Sequence, residues 1–241
     1  MKYGDNFQQL SKYRRDTLRS RALDWSRKPD LYKKYPAGLE RFTLEEPERS
    51  EGLPLYSAIS LRRSVRDFKN KAVSESKLSQ VLWASQGITA QSISHQFRAA
   101  PSAGALYPVE TYCLINRVDN LMSGIYHYQI TDHKLTLLRE GRFGQTLAGA
   151  ALSQNLLAEA SFVLIWSAIV ERGRWKYEQR VYRYIYLDAG HIAQNAALAA
   201  VSCGLSSCPI GAFFDDEVNK IIDIDGEKET AIYMIAIGEP E

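Results

Sequence analysis

Short apolar runs along the chain predict β-strands. The run at 109–117 has the composition of a buried strand, the run at 162–169 is far too short for a membrane span and suits a central strand, and a last run occupies 231–237. Two further runs, 124–130 and 134–138, flank the polar residues 131–133 and predict a β-hairpin.

Apolar residues at helical spacing predict the helices between these strands. Residues 143–160 and 181–203 form the two long candidates, the second with an alanine-rich stripe and Gly204 at the position of a C′ glycine. Ser74 is placed to N-cap a helix that ends near Gly87, and residues 57–61 could form a short one. Because helices and strands interleave and a hairpin is included, we expect an α+β fold with a mixed or antiparallel sheet.

The N-terminal region has a different character. Residues 6–28 show helical spacing, and Pro29, Pro36 and Pro54 then mark an irregular connection. We therefore expect a basic arm at 1–52 and a folded domain at 53–241. Residues 1–36 hold ten Lys and Arg against four Asp, which is typical of a solvated helical face, with docking to an acidic partner as the alternative.

Composition narrows the class of protein. A formal net charge of +2 argues against nucleic-acid binding, and no apolar run reaches the length of a membrane span. The start of the chain lacks the apolar core of a signal peptide, and the three cysteines form no C-x-x-C pair. We expect a cytoplasmic protein, and no metal site, because His95 and His127 have no partner at ligand spacing.

Residues 101–108, with the sequence P-S-A-G-A-L-Y-P, combine small side chains, two prolines and a glycine immediately before the strand at 109–117. Gly104 lacks a Cβ, so the backbone there can approach a ligand closely. This pattern predicts a cofactor loop, and a tight surface loop is the alternative.

Residues 61–68, L-R-R-S-V-R-D-F, place three guanidiniums and a hydroxyl within five positions. Arginine forks bind phosphate oxygens in bidentate fashion, so Arg62, Arg63, Ser64 and Arg66 form a candidate phosphate clamp. The alternative is an ordinary arginine-rich surface turn.

The arginine segment followed by P-S-A-G-A-L-Y-P resembles the nitroreductase superfamily of FMN-dependent oxidoreductases. The resemblance continues through C-P-I-G-A-F at 208–213 and the closing strand at 231–238, so it covers about residues 53–241. It implies a central, mostly antiparallel sheet flanked by helices, in an intertwined homodimer that binds FMN between two chains. The long alanine-rich helix would form the dimer core.

The resemblance also implies the cofactor contacts. The FMN phosphate and ribityl region would contact Arg62, Arg63, Ser64 and Arg66. The loop that approaches the flavin would contribute Pro101, Ser102, Ala103, Gly104, Ala105 and Leu106. The first four of these residues would come from the partner subunit. The segment near the flavin ring would be Pro209, Ile210, Gly211 and Ala212. Two features depart from many relatives: Ala105 replaces an amide side chain, and the chain ends without a basic residue.

Within the superfamily the chain more closely resembles the SagB-type dehydrogenases, which oxidise azoline rings in ribosomally made peptides. The P-S-A-G-A-L-Y-P form and the segment R-W-K-Y-E at 174–178 carry this likeness. It implies a catalytic pair, Lys176 and Tyr177, that accepts a ring proton while hydride passes to flavin N5. The alternative is an exposed lysine and a packed tyrosine in a loop before the long helix.

Two other functions stay open at the level of sequence. One is an NAD(P)H-dependent nitroreductase or quinone reductase on the same scaffold. The other is a non-catalytic flavin-binding subunit of a peptide-modifying complex, held to its partner protein by the basic arm. We also expect His191 to be structural, and residues 86–99 to form either a mobile lid or a plain connection.

Overall fold

The apolar runs pair into a seven-stranded antiparallel sheet in the computed structural model, which describes residues 2–16, 18, 22–92 and 96–241. The strands of the chain are β1 (Arg41–Thr43), β2 (Ile88–Gln91), β3 (Gln96–Arg98), β4 (Val109–Ile115), β5 (Gly124–Gln129), β6 (Lys134–Glu140), β7 (Phe162–Ile169), β8 (Ser206–Ile210) and β9 (Glu229–Gly238). The large sheet has the order β1-β6-β5-β4-β7-β9-β8, and β2 and β3 pair separately.

Helices cover both faces of this sheet. They are α1 (Tyr3–Leu10), α2 (Leu55–Leu61), α3 (Glu75–Gln86), α4 (Gly144–Ala150), α5 (Leu156–Glu159), α6 (Glu171–Tyr177), α7 (Val181–Ser202) and α8 (Asp215–Ile221). One core lies between the sheet and α3 with α7, and a second lies between the sheet and α4, α5 and α8. The two central strands, β4 and β7, are therefore buried along almost their whole length, which explains their continuous apolar runs.

Three strands begin or end at the same end of the sheet. Val109 at the start of β4 pairs with Ala168 near the end of β7, and Ala168 pairs with Thr230 near the start of β9. Ile210, the last residue of β8, pairs with Met234 of β9. Because neighbouring strands are antiparallel, the loop 101–108 and helix α6 leave the sheet at this end, whereas β8 ends opposite the middle of β9.

The structure confirms the α+β class, the hairpin and the predicted helices that follow Ser74 and cover 181–203. Strands β5 and β6 form the predicted hairpin, and α3 begins after Ser74, although the Ser74 side chain makes no capping hydrogen bond. Helix α7 ends at Ser202 and is followed by Gly204 with φ +71°, the left-handed conformation expected of a C′ glycine.

The predicted helix at 6–28 is wrong beyond Leu10. Residues 12–16 and 22–24 are not helical, and residues 17 and 19–21 lie outside the described part of the chain. The Arg183 guanidinium donates to the Gln8 carbonyl (2.6 Å), and that of Arg180 donates to the Ser11 carbonyl (2.7 Å). These carbonyls would have accepted the next helical hydrogen bonds, so contacts from α7 end the helix.

The predicted helix at 143–160 is two helices, α4 and α5. Leu152 and Ser153 between them have φ of +57° and +61°, in the left-handed region. The Ala150 carbonyl accepts from the backbone amide of Phe214 (2.7 Å) instead of from the next turn of its own helix. A distant backbone contact therefore replaces a helical bond that periodicity alone would predict.

The N-terminal segment contributes to the folded domain. Strand β1 pairs with β6 at the edge of the large sheet. Lys33 donates to the Glu229 carboxylate (2.6 Å) and to the Tyr112 hydroxyl (2.5 Å), and both of these acceptors are buried. Residues from about 30 onward are thus bound to the core at the end of the sheet where the loop 101–108 emerges.

Candidate functional site

The loop 101–108 has an unusual backbone. Residues Ala103–Ala105 form a short 3₁₀ turn in which Gly104 has φ +63°. Ala105 and Tyr107 have φ of +52° and +45°, a region that residues with a Cβ rarely adopt. Such a conformation persists only where surrounding contacts hold it.

Asp188 of α7 provides one set of these contacts. Its carboxylate accepts from the Ser102 hydroxyl (2.6 Å) and from the Ala103 backbone amide (3.3 Å to each oxygen). The Ser102 hydroxyl in turn accepts from the Tyr107 amide (3.0 Å), which closes the loop on itself. Burial raises the pKa of Asp188, although the hydrogen bonds from Ser102 and Ala103 partly oppose this.

Lys176 and Tyr177 lie beside this loop. They belong to the last turn of α6, so they are helical and not in a loop as the structural alternative assumed, and both are half-buried. A Cβ built on Gly104 would lie 2.5 Å from the Tyr177 hydroxyl oxygen and 3.0 Å from Lys176 Nζ. The absence of a side chain at Gly104 is therefore what lets both polar groups reach the loop.

Beneath the loop lies a buried charge cluster. The Glu110 carboxylate accepts from Arg172 Nη1 (2.5 Å) and pairs with His127 Nε2 (2.9 Å), and all three side chains are buried. Burial alone would raise the pKa of Glu110, but the bond and charge of His127 and the charges of Arg172 and Arg98 outweigh it and lower the pKa from 4.5 to about 2. Glu110 is therefore ionised under ordinary conditions.

The same cluster binds the backbone on both sides of the loop. Arg172 also donates to the carbonyl of Tyr107 (3.3 Å) and to that of Asp30 (2.8 Å). The Arg98 guanidinium lies 4.3 Å from the centre of the Tyr107 ring and donates to the Gln86 side chain (2.8 Å). The end of the loop is thus fixed from below, while Asp188 fixes its beginning.

The arginine segment at 62–66 runs beside strand β8. Ser64 forms a parallel bridge with Ser207, whose carbonyl accepts from the Val65 amide (3.0 Å). Burial raises the pKa of Cys208 and the Arg66 charge partly opposes it, so Arg66 lies near this strand. The Ser207 hydroxyl is buried, and no described residue is its hydrogen-bond partner.

These arginines are available to an anion. Arg63 and Arg66 are exposed, Arg62 is half-buried, and among the residues that the structure describes none of the three pairs with a carboxylate. Arg63 donates only to the backbone carbonyls of Ser60 (2.9 Å) and Arg62 (2.7 Å). Unpaired guanidiniums beside an unsatisfied hydroxyl fit the phosphate group of a cofactor such as FMN.

The residues that follow β8 leave room for a planar ligand. Pro209 and Ile210 end the strand, and Gly211 and Ala212 are exposed. A Cβ built on Gly211 would have only the Tyr233 ring nearby, at 3.9 Å. This segment therefore has open space where the sequence resemblance implies a flavin ring.

The predicted residues thus form two groups in one chain. The structure brings Ser102, Ala103 and Gly104 together with Lys176 and Tyr177, and it brings the arginine segment together with β8. The two groups lie toward opposite ends of the strands. The loop and α6 adjoin Val109 and Ala168, whereas Ser64 pairs with Ser207, which is level with Ile237, Phe162 and Ile115 across the sheet. Pro101 is exposed, whereas Leu106 is buried in the fold.

Sequence reasoning missed Asp188, Glu110 and Arg172 as supports of this site. Glu110 carried a usable signal, because a carboxylate in the otherwise apolar run at 109–115 needs a buried partner. His191 is exposed on α7, His95 lies outside the described residues, and the segment around it contains β2 and β3.

The described residues contain neither a cluster of metal ligands nor a membrane-spanning helix. No group of three or more His, Cys, Asp and Glu side chains is arranged to hold a metal ion. Within the same residues, no helix has the length and apolarity that crossing a membrane requires.

Comparison with known proteins identifies similar chains. The model of the family described as "Nitroreductase family" matches residues 59–239. The nitroreductase-family protein MJ1384 of Methanocaldococcus jannaschii is 36% identical over 188 residues, 78% of this chain and 92% of MJ1384. A nitroreductase-family structure from Anabaena variabilis is 30% identical with a TM-score of 0.79 over 97% of this chain, but only 45% of its own length is covered.

Two relatives are processing proteins. The microcin B17-processing protein McbC of Escherichia coli is 30% identical over 136 residues, 53% of this chain and 49% of McbC. The trifolitoxin-processing protein TfxB of Rhizobium leguminosarum is 27% identical over 152 residues, 61% of this chain and 41% of TfxB. These alignments span less than half of either relative. The E. coli microcin synthetase McbBCD complex shares the fold, with a TM-score of 0.64 at 20% identity over 99% of this chain and 92% of the matched one.

Proposed function

Because this chain belongs to the nitroreductase family, we propose that it is an FMN-dependent, SagB-type dehydrogenase that oxidises azoline rings in a ribosomal peptide. The observation that carries the proposal is the contact of Gly104 with Tyr177 and Lys176, which puts two proton-accepting groups against the cofactor loop. The names of McbC and TfxB as processing proteins support a peptide as the substrate.

The residues of this chain suit FMN. Arg62, Arg63 and Arg66 would bind its phosphate with Ser64, and Gly211 and Ala212 would lie against its ring without side-chain bulk. When bound, FMN supplies the acceptor for a hydride. The chain's own contribution is to hold the cofactor and to bring a proton acceptor to the substrate.

Lys176 and Tyr177 would supply that acceptor. Aromatising a thiazoline or oxazoline removes one ring proton and one hydride, so a base must take the proton as the hydride leaves. Lysine and tyrosine are both among the side chains that serve as general bases in such proton transfers. The half-buried setting of both side chains limits competition from water at this point.

A second copy of the chain would complete the site. Large apolar side chains are exposed on α2 and α7, among them Leu55, Tyr56 (85% exposed), Ile59, Tyr186 (55% exposed) and Leu187. Exposed apolar surface of this kind is typical of an interface between subunits. In the proposed homodimer the loop 101–108 of one chain approaches the flavin held by the arginine segment of the other.

The arginine assignment gives a first testable prediction. Replacing Arg62 and Arg66 together with alanine should weaken FMN binding by about 10²- to 10⁴-fold, because hydrogen bonds to a charged group contribute about 1.5–3 kcal/mol each and two such contacts are removed. Binding is measured by the quenching of FMN fluorescence during titration of the apoprotein. Arg142→Ala, a change at an exposed arginine before α4, is the control. Equal affinities in all three proteins would remove the phosphate role from this segment.

An NAD(P)H-dependent nitroreductase or quinone reductase is the second candidate, and the 36% identity to MJ1384 favours it. The discriminating experiment mixes the FMN-loaded protein anaerobically with NADPH or with a synthetic thiazoline peptide. Rapid bleaching of the flavin absorbance by NADPH alone supports the reductase. Bleaching by the thiazoline peptide alone supports the dehydrogenase.

A partner protein is the remaining part of the proposal. One of the similar solved structures is a complex, McbBCD, with truncated pro-MccB17 bound. For this chain the N-terminal segment is a candidate docking element. The deletion that tests it should remove residues 1–23 and no more, since the carbonyls of Asp24 and Asp30 accept hydrogen bonds from Trp175 and Arg172 of α6. Loss of partner binding with chemistry intact would support a docking role.

A further inference from the structure

Asp188 is the only acidic side chain that the described residues place in hydrogen-bond contact with the loop 101–108. It lies 86 positions from Ser102 in sequence and is 5% exposed. Both carboxylate oxygens take part, since Oδ2 accepts from the Ser102 hydroxyl and both accept from the Ala103 amide. The start of the loop is therefore fixed to the second turn of α7, close behind α6.

The part of the loop that follows these bonds is the part in the left-handed region. Gly104 contacts the site, and Ala105 and Tyr107 carry the positive φ values that residues with a Cβ avoid. The Tyr107 amide donates to the same Ser102 hydroxyl that donates to Asp188. One carboxylate thus holds, directly and through Ser102, both ends of the strained turn.

We propose that Asp188 is a positioning residue, which fixes Gly104 against Lys176 and Tyr177 through its bonds to Ser102 and Ala103. The inference rests on the proposed function, because it takes Lys176 and Tyr177 to be the reacting pair. Asp188 itself does not touch that pair in any hydrogen bond that the structure describes. It acts by setting where the loop lies.

The energetics of Asp188 separate this role from a general contribution to stability. Its pKa is raised by burial above the ordinary value, with the hydrogen bonds of Ser102 and Ala103 and the charge of His191 opposing. A carboxyl whose pKa rises on folding lowers the free energy of unfolding once the pH is above both pKa values. Asparagine has the same shape but no charge and only one acceptor oxygen. Replacing Asp188 with asparagine should therefore leave global stability unchanged or higher, while the hydrogen bonds to Ser102 and Ala103 are weakened.

Hydrogen exchange of the backbone amides tests the anchoring. In Asp188→Asn we expect the amides of Ala103 and Tyr107 to exchange about tenfold faster than in the wild type, with an unchanged or higher free energy of unfolding in urea. Ser102→Ala should give the same local effect, and Ser102→Thr, which keeps the hydroxyl, should restore slow exchange. Asp119→Asn, at an exposed carboxylate after β4, is the control.

Two results would overturn the proposal that Asp188 anchors the loop 101–108. One is unchanged exchange at Ala103 and Tyr107 in Asp188→Asn. The other is faster exchange throughout the sheet together with a lower free energy of unfolding, which would make Asp188 a purely structural residue. This experiment needs neither flavin nor substrate, so it decides the anchoring whether or not the proposed function holds.

The rate of flavin bleaching by the substrate tests whether Asp188 affects the reaction. FMN-loaded Asp188→Asn should bleach with a synthetic thiazoline peptide about 10- to 100-fold more slowly at saturating peptide, because small misplacements of reacting groups carry costs of this size. The affinity for FMN and the KM for the peptide should stay within about twofold of the wild type. A maximal bleaching rate equal to that of the wild type, in a variant whose loop exchanges faster, would overturn the positioning role.

Discussion

Replacing Lys176 with alanine is expected to slow substrate oxidation by about 10²- to 10⁴-fold while FMN stays bound, because proton transfer by a placed side chain contributes a factor of that size. Lys176 Nζ lies on the α6 side of Gly104, away from the arginine segment that would bind the phosphate. The loss should therefore appear in the rate of reaction and not in the affinity for the cofactor. We expect Tyr177→Phe to show a similar or smaller loss.

Anaerobic rapid mixing of the FMN-loaded protein with a synthetic thiazoline peptide measures this directly through the flavin absorbance. Lys220→Ala, at an exposed lysine of α8, is the matched control and should bleach at the wild-type rate. A wild-type rate in Lys176→Ala with flavin fully bound would show that the lysine is not the proton acceptor. If the wild-type protein is bleached by NADPH and not by the peptide, the substrate class is wrong instead.

Much of the fold follows from local patterns in the sequence. The runs at 162–169 and 231–237 and the hairpin around 131–133 predict strands correctly because their apolar side chains pack into the cores on the two faces of the sheet. The alanine stripe of α7 and Gly204 likewise identify a helix and its end. In each case the residues that decide the structure lie within a few positions of one another.

The predicted helices at 6–28 and 143–160 are wrong because contacts with distant residues decide where the real helices end. Arg180 and Arg183 take the carbonyls at the end of α1, and the Phe214 amide takes the carbonyl of Ala150. Periodicity cannot reveal such contacts, since the donor and acceptor are about 60 to 175 positions apart. The same reason explains why β8, whose run is short and contains Pro209, was not predicted as a strand.

The residues of the candidate site likewise differ in whether the sequence alone can identify them. Gly104 and the arginines could be selected from sequence because small residues and guanidinium clusters carry a chemical meaning by themselves. Asp188 and Arg172 could not, because each acquires its role only when the fold brings it to the loop. Supporting residues of this kind are what a sequence without its fold leaves out.

Replacing Arg172 with methionine is expected to lower the free energy of unfolding by about 3–5 kcal/mol, because it removes the guanidinium that donates to the buried carboxylate of Glu110. Arg172 and Glu110 side chains are 3% and 4% exposed, so water cannot take over the lost interaction. Urea unfolding at neutral pH measures the change. Arg142→Met, at an exposed arginine, should stay within about 0.5 kcal/mol of the wild type.

The pH dependence of stability tests whether the unpaired Glu110 carboxylate causes the lower free energy of unfolding of Arg172→Met. Its pKa of about 2 in the folded protein lies below the ordinary 4.5, so its contribution to stability is fully present above about 4.5 and is lost as the pH falls toward 2. Without Arg172 the pKa of Glu110 should rise, and this part of the acid sensitivity should shrink. The double variant Glu110→Gln, Arg172→Met should be less destabilised than Arg172→Met alone, since it leaves no unpaired charge. Additive losses in the double variant would mean that the two side chains stabilise the fold independently, and Arg172 would then hold the loop through the Tyr107 and Asp30 carbonyls alone.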